Sequence, residues 1–203
     1  MRAKPPKLSE NSVFLNIPYD EKFRRLYLAY IAGCIHLGLE PHATIEIPSG
    51  RNRLEKILDL VRSCRYSIHD LSRVELDRTA PATPRFNMPF ELGLAVAVSE
   101  IEGAHDYFVF ESVLRRVSKS LSDLGGADPC IHDGTVEGVM RELGNAFVTD
   151  RASTSEMVKT CRAVSGLVGE IQRKTGAKSL FEARIFKLLC AAAAKSVADS
   201  GQR

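Results

Sequence analysis

The stretch Arg85-Phe86-Asn87-Met88-Pro89-Phe90-Glu91-Leu92-Gly93-Leu94-Ala95-Val96-Ala97 marks the point where a loop ends and an apolar helix begins. Pro89 suits the first turn of a helix, where its missing N–H removes no hydrogen bond. Asn87 or Met88 would then be the helix cap, a position that Asn favours. The residues that follow are almost wholly apolar, as expected of a helix packed against a sheet. Glu91 is the exception: it is either a surface acid that offsets the helix dipole or a buried functional carboxylate.

Apolar, β-favouring segments alternate with helical patterns on both sides of this stretch. The predicted strands are residues 13–17, 39–47, 65–69, 107–110 and 130–132. The predicted helices between and after them are residues 21–37, 53–64, 88–100, 112–121 and 135–147. This alternation predicts an α/β fold in which helices cover both faces of a five-stranded parallel sheet. The crossovers are expected to be right-handed.

The remaining segments divide the chain. Residues 1–11 are basic and contain proline, and they are predicted to form a flexible tail before an α/β domain over residues 12–150. Residues 151–203 change character and predict two amphipathic helices, a C-terminal hairpin that covers the sheet domain or builds a homo-oligomer. Two long loops are expected at 71–86 and 122–134, and loops of this kind are usually functional or disordered. The position and polar content of the second loop would allow it to close over a cleft.

Composition excludes several classes of protein. A net charge of +3 over 203 residues is too small to indicate nucleic-acid binding by itself. The five scattered cysteines form no zinc-binding spacing and indicate free thiols in a reducing compartment. No secretory signal is evident, and no apolar run approaches the roughly 20 residues that a membrane span needs. We therefore expect a cytoplasmic protein without a membrane span, a bound metal or a dissociable cofactor.

Candidate site residues follow from the fold rule that ligands bind at the carboxyl ends of parallel strands. The residues selected in this way are Asn16, Pro18, Tyr19, Glu46, Asp70, Glu91, Asp123, Asp128 and His132. Asp70 and Glu91 are expected to face one cleft, and a pair of carboxylates suits chemistry at an anomeric carbon. Arginines near the cleft edge, Arg85 among them, could meet a phosphorylated ligand.

Each of these residues also has a purely structural explanation. Asp70 could cap the loop after its strand, and a structural role is the simpler explanation for His132. Tyr19 could be a packed aromatic side chain rather than a platform for a ligand. The isolated cysteines are better explained as inert buried thiols than as nucleophiles.

Three segments together resemble the nucleoside 2-deoxyribosyltransferase-like and TIR-like superfamily. They are Val13-Phe14-Leu15-Asn16-Ile17-Pro18-Tyr19-Asp20, Asp70-Leu71-Ser72, and Asn87-Met88-Pro89-Phe90-Glu91-Leu92-Gly93-Leu94-Ala95, so the resemblance covers residues 12–148. It implies a flavodoxin-like fold, cleavage or transfer at a ribosidic bond, a catalytic Glu91 and an Asp70 that helps to hold the ligand. TIR-like relatives hydrolyse the nicotinamide–ribose bond of NAD, often in bacterial antiphage defence. Other relatives bind a nucleotide signal and have lost catalysis.

One departure from the family pattern concerns the substrate. The transferases carry an acid six residues before the catalytic glutamate, whereas this chain has Arg85 there. An arginine suits a substrate that carries phosphate, such as a nucleotide or NAD, better than a free nucleoside. The expectation is an N-glycosidase, and the alternatives are a non-catalytic nucleotide-binding sensor or effector and a structural interaction domain whose cleft is vestigial. Its predicted ligand contacts are Tyr19 on the base or sugar, Asn16 and Asn87 through hydrogen bonds, and Arg85 on phosphate.

Overall fold

The computed structural model describes residues 5–48, 50, 52–74, 76–77, 80–124, 128–148 and 153–201. The predictions for residues 1–4 of the tail and for 125–127 of the second loop lie outside these ranges. The strands are β1 (Ser12–Asn16), β2 (Glu40–Ala43), β3 (Tyr66–Asp70), β4 (Leu76–Asp77), β5 (Thr83–Pro84), β6 (Asp106–Glu111) and β7 (Cys130–Ile131). The helices are α1 (Arg24–His36), α2 (Arg53–Ser63), α3 (Asn87–Glu102), α4 (Arg116–Ser120), α5 (Val136–Ala146), α6 (Thr154–Thr175) and α7 (Ala183–Gly201).

Five strands form one parallel sheet in the order β2-β1-β3-β6-β7. This is the strand order of flavodoxin-like folds, and it confirms the predicted α/β class. Every residue of β1 is buried, which explains why its sequence is a short apolar run rather than an alternating one. The strand order reverses between β1 and β3, so the carboxyl ends of these two strands border the crevice where such folds bind ligands.

The larger half of the core lies on the face of the sheet that α1 covers. Helix α1 packs against the sheet and also against α5, α6 and α7, so Tyr27, Tyr30 and Ile31 have no exposed surface. Gly33 permits the close approach of α5, because a Cβ atom there would lie 2.5 Å from Leu143 Cδ1. The C-terminal hairpin of α6 and α7 thus shares one hydrophobic cluster with α1.

The opposite face of the sheet is covered by α2 and α3, which pack on Phe14. Helix α3 begins at Asn87 with Pro89 in its first turn, as predicted. Its N-cap is Phe86, however, and makes no side-chain cap hydrogen bond, so the predicted cap at Asn87 or Met88 is wrong. Among the described residues, no helix has the length and apolar character needed to cross a membrane.

Three predicted segments differ from the structure. A short 3-10 turn at Thr44–Glu46 replaces the second half of the predicted 39–47 strand. The predicted helix at 112–121 is reduced to α4, because the Glu111 carboxylate accepts hydrogen bonds from the backbone N–H groups of Ser112 and Val113. The loop predicted at 71–86 contains a small antiparallel pairing of β4 with β5, called the β4–β5 hairpin below.

Candidate functional site

Glu91 is a buried carboxylate in the first turns of α3. Only 8% of the residue is exposed. Within the described part of the chain, its Oε2 has no hydrogen-bond partner. Burial raises the pKa of Glu91 to about 7, and the Arg53 guanidinium offsets only part of that rise. The explanation of Glu91 as a surface acid at a helix terminus therefore does not hold.

Glu111 shows what a structural buried carboxylate looks like in the same protein. It is 1% exposed, and its oxygens accept hydrogen bonds from Arg116 and from the backbone N–H groups of Ser112 and Val113. Buried polar groups are normally satisfied in this way, because an unpaired one costs free energy. Glu91 departs from this rule, and departures of this kind cluster at functional sites.

Asp70 lies on the other side of the sheet from Glu91. Successive residues of a strand point to opposite faces, and Asp70 Oδ2 accepts a 2.7 Å hydrogen bond from the Tyr30 hydroxyl of α1. Its Oδ1 accepts a 2.8 Å bond from the backbone N–H of Ser72. Asp70 has no exposed surface. The expectation that Asp70 and Glu91 share a cleft is therefore wrong.

His132 belongs to the same buried cluster as Asp70. Its Nδ1 accepts a hydrogen bond from the backbone N–H of Gly134, and its Nε2 lies 3.2 Å from Asp70 Oδ2 without hydrogen-bond alignment. His132 has no exposed surface, so the structural explanation fits it better than a ligand contact. Asp123 and Asp128 are exposed, and they lie in the connection that leads from α4 into the amino end of β7. The structure does not bring these three residues to Glu91.

Asn16 at the end of β1 holds the start of α3 against the sheet. Its Nδ2 donates a 2.9 Å hydrogen bond to the carbonyl oxygen of Met88. The same nitrogen lies 2.8 Å from Nδ1 of His69, the residue paired with Asn16 in the parallel register. Asn16 Oδ1 is buried and, among the described residues, has no partner. Asn16 is thus a support of the first turn of α3, which precedes Glu91, and its side-chain carbonyl oxygen has no partner among the described residues.

The contacts continue from His69 across the sheet. His69 Nε2 lies 2.9 Å from Ser67 Oγ, and Ser67 Oγ lies 2.8 Å from His105 Nε2. His105 Nδ1 lies 3.1 Å from the carbonyl oxygen of Cys64. Because an amide NH₂ only donates and a carbonyl only accepts, one direction of donation fits every contact. His69 then carries its proton on Nε2 and His105 on Nδ1, and we call this series the Asn16–Cys64 chain.

Burial keeps both histidines of the Asn16–Cys64 chain neutral. Desolvation lowers the pKa of His69 to about 3, and the neighbouring His105 adds to that fall. Desolvation also lowers the pKa of His105. A protonated imidazole would have two donors and no acceptor, so the chain requires the neutral rings that burial favours.

An open cavity of about 470 Å³ lies beside the first turn of α3. Its walls include four of the predicted ligand residues, Pro18, Tyr19, Arg85 and Asn87. Residues of the β4–β5 hairpin and its flanks complete the walls, which are Arg73, Pro81, Thr83, Pro84, Phe86 and Met88. Asn16 and Glu91 are not wall residues, so the carboxylate lies behind the lining in this structure.

Arg73 and Arg85 converge on Asp20 at the wall of this cavity. Arg85 Nη1 donates a 2.8 Å bond to Asp20 Oδ2, and Arg73 approaches the same oxygen at 3.4 Å. Burial alone would raise the pKa of Asp20, but the two arginines and the Phe23 N–H together lower it below its ordinary value. The sequence singled out Arg85 but gave Asp20 no role, because an acid after a strand break carries no signal of the partners it will meet.

Tyr19 combines a packed ring with a place in the cavity wall. Its ring contacts Tyr27 and Phe181, and its hydroxyl donates a 3.1 Å bond to the carbonyl oxygen of Leu15. Burial, and to a smaller degree the charge of Glu91, raises the pKa of Tyr19. Asn87 and Met88, which precede Glu91 at the start of α3, lie in the same cavity wall as Tyr19.

Metal ligands and reactive thiols are the other groups in the described residues that could carry chemistry. That part of the chain contains no group of three or more His, Cys, Asp or Glu side chains able to hold a metal ion. Burial raises the pKa values of the thiols, to about 12 for Cys64 and Cys190, so these cysteines are poor nucleophiles. The chain was compared with protein-family models, with curated proteins and with solved structures, and none of them matches it.

Proposed function

We propose that this protein is an N-glycosidase that cleaves the ribosidic bond of a nucleotide or of NAD. The observation that carries the proposal is Glu91: a buried carboxylate whose Oε2 has no hydrogen-bond partner in the described chain, in a helix whose first turn borders a cavity at the point where the strand order reverses. A carboxylate can attack C1′ of a ribose or stabilise the positive charge that develops there. The motif around Glu91 resembles that of nucleoside 2-deoxyribosyltransferase-like and TIR-like enzymes, which supports the same chemistry.

The reaction proceeds in two steps. A Glu91 carboxylate oxygen bonds to C1′ while the bond from C1′ to the base nitrogen breaks, and the base leaves with the bonding electron pair. For NAD this pair neutralises the cationic nicotinamide nitrogen, so the leaving group needs no proton, whereas the base of a nucleotide leaves as an anion and takes one proton from solvent. Water then attacks C1′, which frees the carboxylate and releases one proton to solvent. Because the pKa of Glu91 is about 7, the required ionised form increases as the pH rises through neutrality.

The phosphate of the substrate would bind near Arg73 and Arg85. Both guanidinium groups lie in the cavity wall, and both contact the Asp20 carboxylate. A phosphate oxygen resembles a carboxylate oxygen in charge and in its capacity to accept hydrogen bonds from arginine. An anionic ligand in the cavity would therefore compete with Asp20 for the arginines.

One observation favours a non-catalytic nucleotide sensor as the second candidate. Glu91 Oε2 is buried and Glu91 does not line the cavity, so a ligand seated there reaches the carboxylate only after the wall moves. A sensor would need the cavity and the arginines but not the carboxylate. The two functions thus differ in whether Glu91 is required after binding.

The test is incubation of the purified protein with NAD, NMN, nucleoside monophosphates and deoxynucleosides, with chromatography of the released base. We expect release from at least one phosphorylated compound and loss of release in Glu91→Gln. Glu100→Gln is the matched control, because Glu100 is an exposed acid on the same helix. Arg85→Ala is expected to raise KM for phosphorylated substrates more than for deoxynucleosides.

Three outcomes separate the candidates. Equal base release by the native protein and by Glu91→Gln on every compound excludes the enzyme. Binding of a nucleotide, measured by calorimetry, without turnover and with equal affinity in Glu91→Gln supports the sensor. An Arg85→Ala variant that keeps the full preference for phosphorylated compounds excludes the proposed phosphate site.

A further inference from the structure

Helix α3 has an apolar outer side as well as an apolar inner side. The inner side is buried through Leu92, Ala95 and Val98. The outer side consists of residues spaced by three or four positions and exposed to solvent, and we call it the outer α3 face: Phe86, Phe90, Gly93, Ala97 and Ile101. Phe86 is 66% exposed, Phe90 53% and Ile101 82%. Helices that are apolar all round are normally covered on all sides.

Gly93 at the centre of this face has no explanation within the chain. A Cβ atom added there would meet nothing within 4 Å, and the residue is in an ordinary helical conformation. Glycine inside a helix destabilises it by about 1 kcal/mol relative to alanine. Gly166 and Gly169 of α6 have equally open surroundings, but Gly93 lies between the large exposed side chains Phe90 and Ile101, where a glycine lets another backbone approach closely.

We propose that the outer α3 face binds the same face of a second copy of this chain, forming a two-fold symmetric dimer with the two α3 helices antiparallel. The order of side-chain sizes is self-complementary, as a two-fold contact requires. Gly93 and Ala97 lie at equal distances on either side of Ala95, so each faces the other across the axis. Phe90 and Ile101 lie at nearly equal distances farther out, so each Phe90 lies beside Ile101 of the other copy.

The area of this face is sufficient for a specific contact. The exposed parts of Phe86, Phe90 and Ile101, with Gly93 and Ala97 between them, present roughly 400 Å² of apolar surface if a whole aromatic side chain counts for 150–250 Å². Apolar patches of a few hundred Å² mark interaction sites on soluble domains. A two-fold contact buries the patch twice, and its polar border brings the total to roughly the 1,000 Å² that specific interfaces exceed.

The C-terminal hairpin was predicted from the sequence either to cover the sheet domain or to build a homo-oligomer. It exposes less large apolar surface than the outer α3 face. The apolar residues of α6 and α7 are buried against α1 within the same chain, among them Val164, Val168 and Ile185. The large apolar residues that the hairpin exposes are Leu167 of α6, at 40%, and Leu188 of α7, at 38%, which are smaller side chains and less exposed than Phe86 and Phe90. The outer α3 face also continues to the candidate site, because Phe86 belongs both to this face and to the cavity wall.

Sedimentation equilibrium over a range of protein concentrations tests the proposal, and no substrate is needed. The native chain is expected to show a dimer. Phe90→Arg and Gly93→Leu are each expected to raise the dimer dissociation constant by at least about tenfold. Both positions are exposed in the monomer, so circular dichroism should remain native. Leu167→Arg is the matched control and should leave the dimer unchanged.

A double Gly93→Cys/Ala97→Cys variant gives a second measurement. Under mild oxidation it is expected to form a disulfide-linked dimer, whereas Leu167→Cys forms none beyond the native background. The proposal is overturned if the native chain sediments as a monomer at every concentration. A dimer that survives both α3 substitutions, or one that Leu167→Arg dissociates, also overturns it and places the contact elsewhere.

Discussion

The Glu91→Gln substitution is expected to remove a loss of stability that the native protein shows as the pH rises through 7. The pKa of Glu91 is raised from 4.5 to about 7 by burial. Between these values the folded protein binds more protons than the unfolded chain, so the free energy of unfolding falls as the pH rises. The contribution is fully present below pH 4.5 and is lost as the pH rises through 7. Glutamine does not titrate, so the variant lacks this loss.

The size of the effect follows from the pKa shift. At 1.36 kcal/mol per pKa unit, the shift corresponds to about 3 kcal/mol of stability lost between acidic and alkaline pH. For a chain of this length that is roughly 6–12 °C in Tm. The Tm of Glu91→Gln minus the Tm of the native protein should therefore be higher at pH 8 than at pH 4.5 by roughly 6–12 °C. The same substitution should abolish base release, so the variant is expected to gain stability relative to the native protein as the pH rises while it loses the activity.

Chemical denaturation at a series of pH values measures this effect, with Glu100→Gln as the exposed control on the same helix. The comparison must be between variants, because His69 has the opposite sign. Its pKa is lowered to about 3, so its contribution is present above pH 6.5 and is lost as the pH falls. The reasoning is refuted if the native protein and Glu91→Gln have parallel pH profiles, since Glu91 would then titrate alike in the folded and unfolded states.

Three further predictions concern the supports of the site. Asp20→Ala removes the carboxylate that Arg73 and Arg85 share, so trypsin is expected to cleave the β4–β5 hairpin faster. In ¹⁵N spectra, His69 should carry its proton on Nε2 and His105 on Nδ1, and His69 should stay neutral at pH 5 because burial lowers its pKa to about 3. Gly138→Ala should destabilise the protein by about 3 kcal/mol in urea titrations, because its Cβ would overlap the carbonyl group of His132.

Matched variants give each of these predictions its control. Glu21→Ala, at the exposed acid next to Asp20, should not change the cleavage of the hairpin. Ser67→Ala should broaden or shift the signals of both histidines, and unchanged spectra would contradict the Asn16–Cys64 chain. Gly169→Ala, where nothing lies within 4 Å of an added Cβ, should stabilise the protein by up to about 1 kcal/mol. If Gly138→Ala and Gly169→Ala changed the free energy of unfolding equally, the close approach of Gly138 to the His132 carbonyl group would be contradicted.

The sequence predicts the sheet well because its central strands are buried on both faces. Short apolar runs rich in β-favouring residues, such as 13–17 and 107–110, are typical of interior strands, and the helical patterns between them indicate crossovers. The failures lie where tertiary contacts outweigh local preference. The predicted helix at 112–121 is shortened because the Glu111 carboxylate accepts hydrogen bonds from N–H groups near its start. The two-residue strands of the β4–β5 hairpin are too short to leave a periodic signal.

The sequence predicts which residues lie at the strand ends of the candidate site, but not the face of the sheet to which each side chain points. Sequence reasoning can place a polar residue at the end of a strand, but the face on which it lies depends on the exact register. Asp70 and His69 are adjacent, yet Asp70 contacts α1 through Tyr30 while His69 contacts Asn16 below α3. The alternating polar residues Ser67 and His69 in a buried strand were a signal of an internal network that the sequence reasoning missed.

The Asn16–Cys64 chain has a consequence for how this protein can vary. Each of the three inner members, His69, Ser67 and His105, both donates a hydrogen bond and accepts one, so replacing one of them leaves its neighbours with an unmet donor or acceptor in the buried interior. Effects of substitutions at Ser67 and His105 should therefore be strongly non-additive, with the double replacement by apolar residues less damaging than either single one. Substitutions near the amino edge of the sheet, at His105, should also shift the position of Met88. The Asn16–Cys64 chain runs from that edge to Asn16, which donates a hydrogen bond to the Met88 carbonyl oxygen. The residues of the Asn16–Cys64 chain are expected to covary among related proteins. A substitution at one of them should be tolerated only together with substitutions at the others.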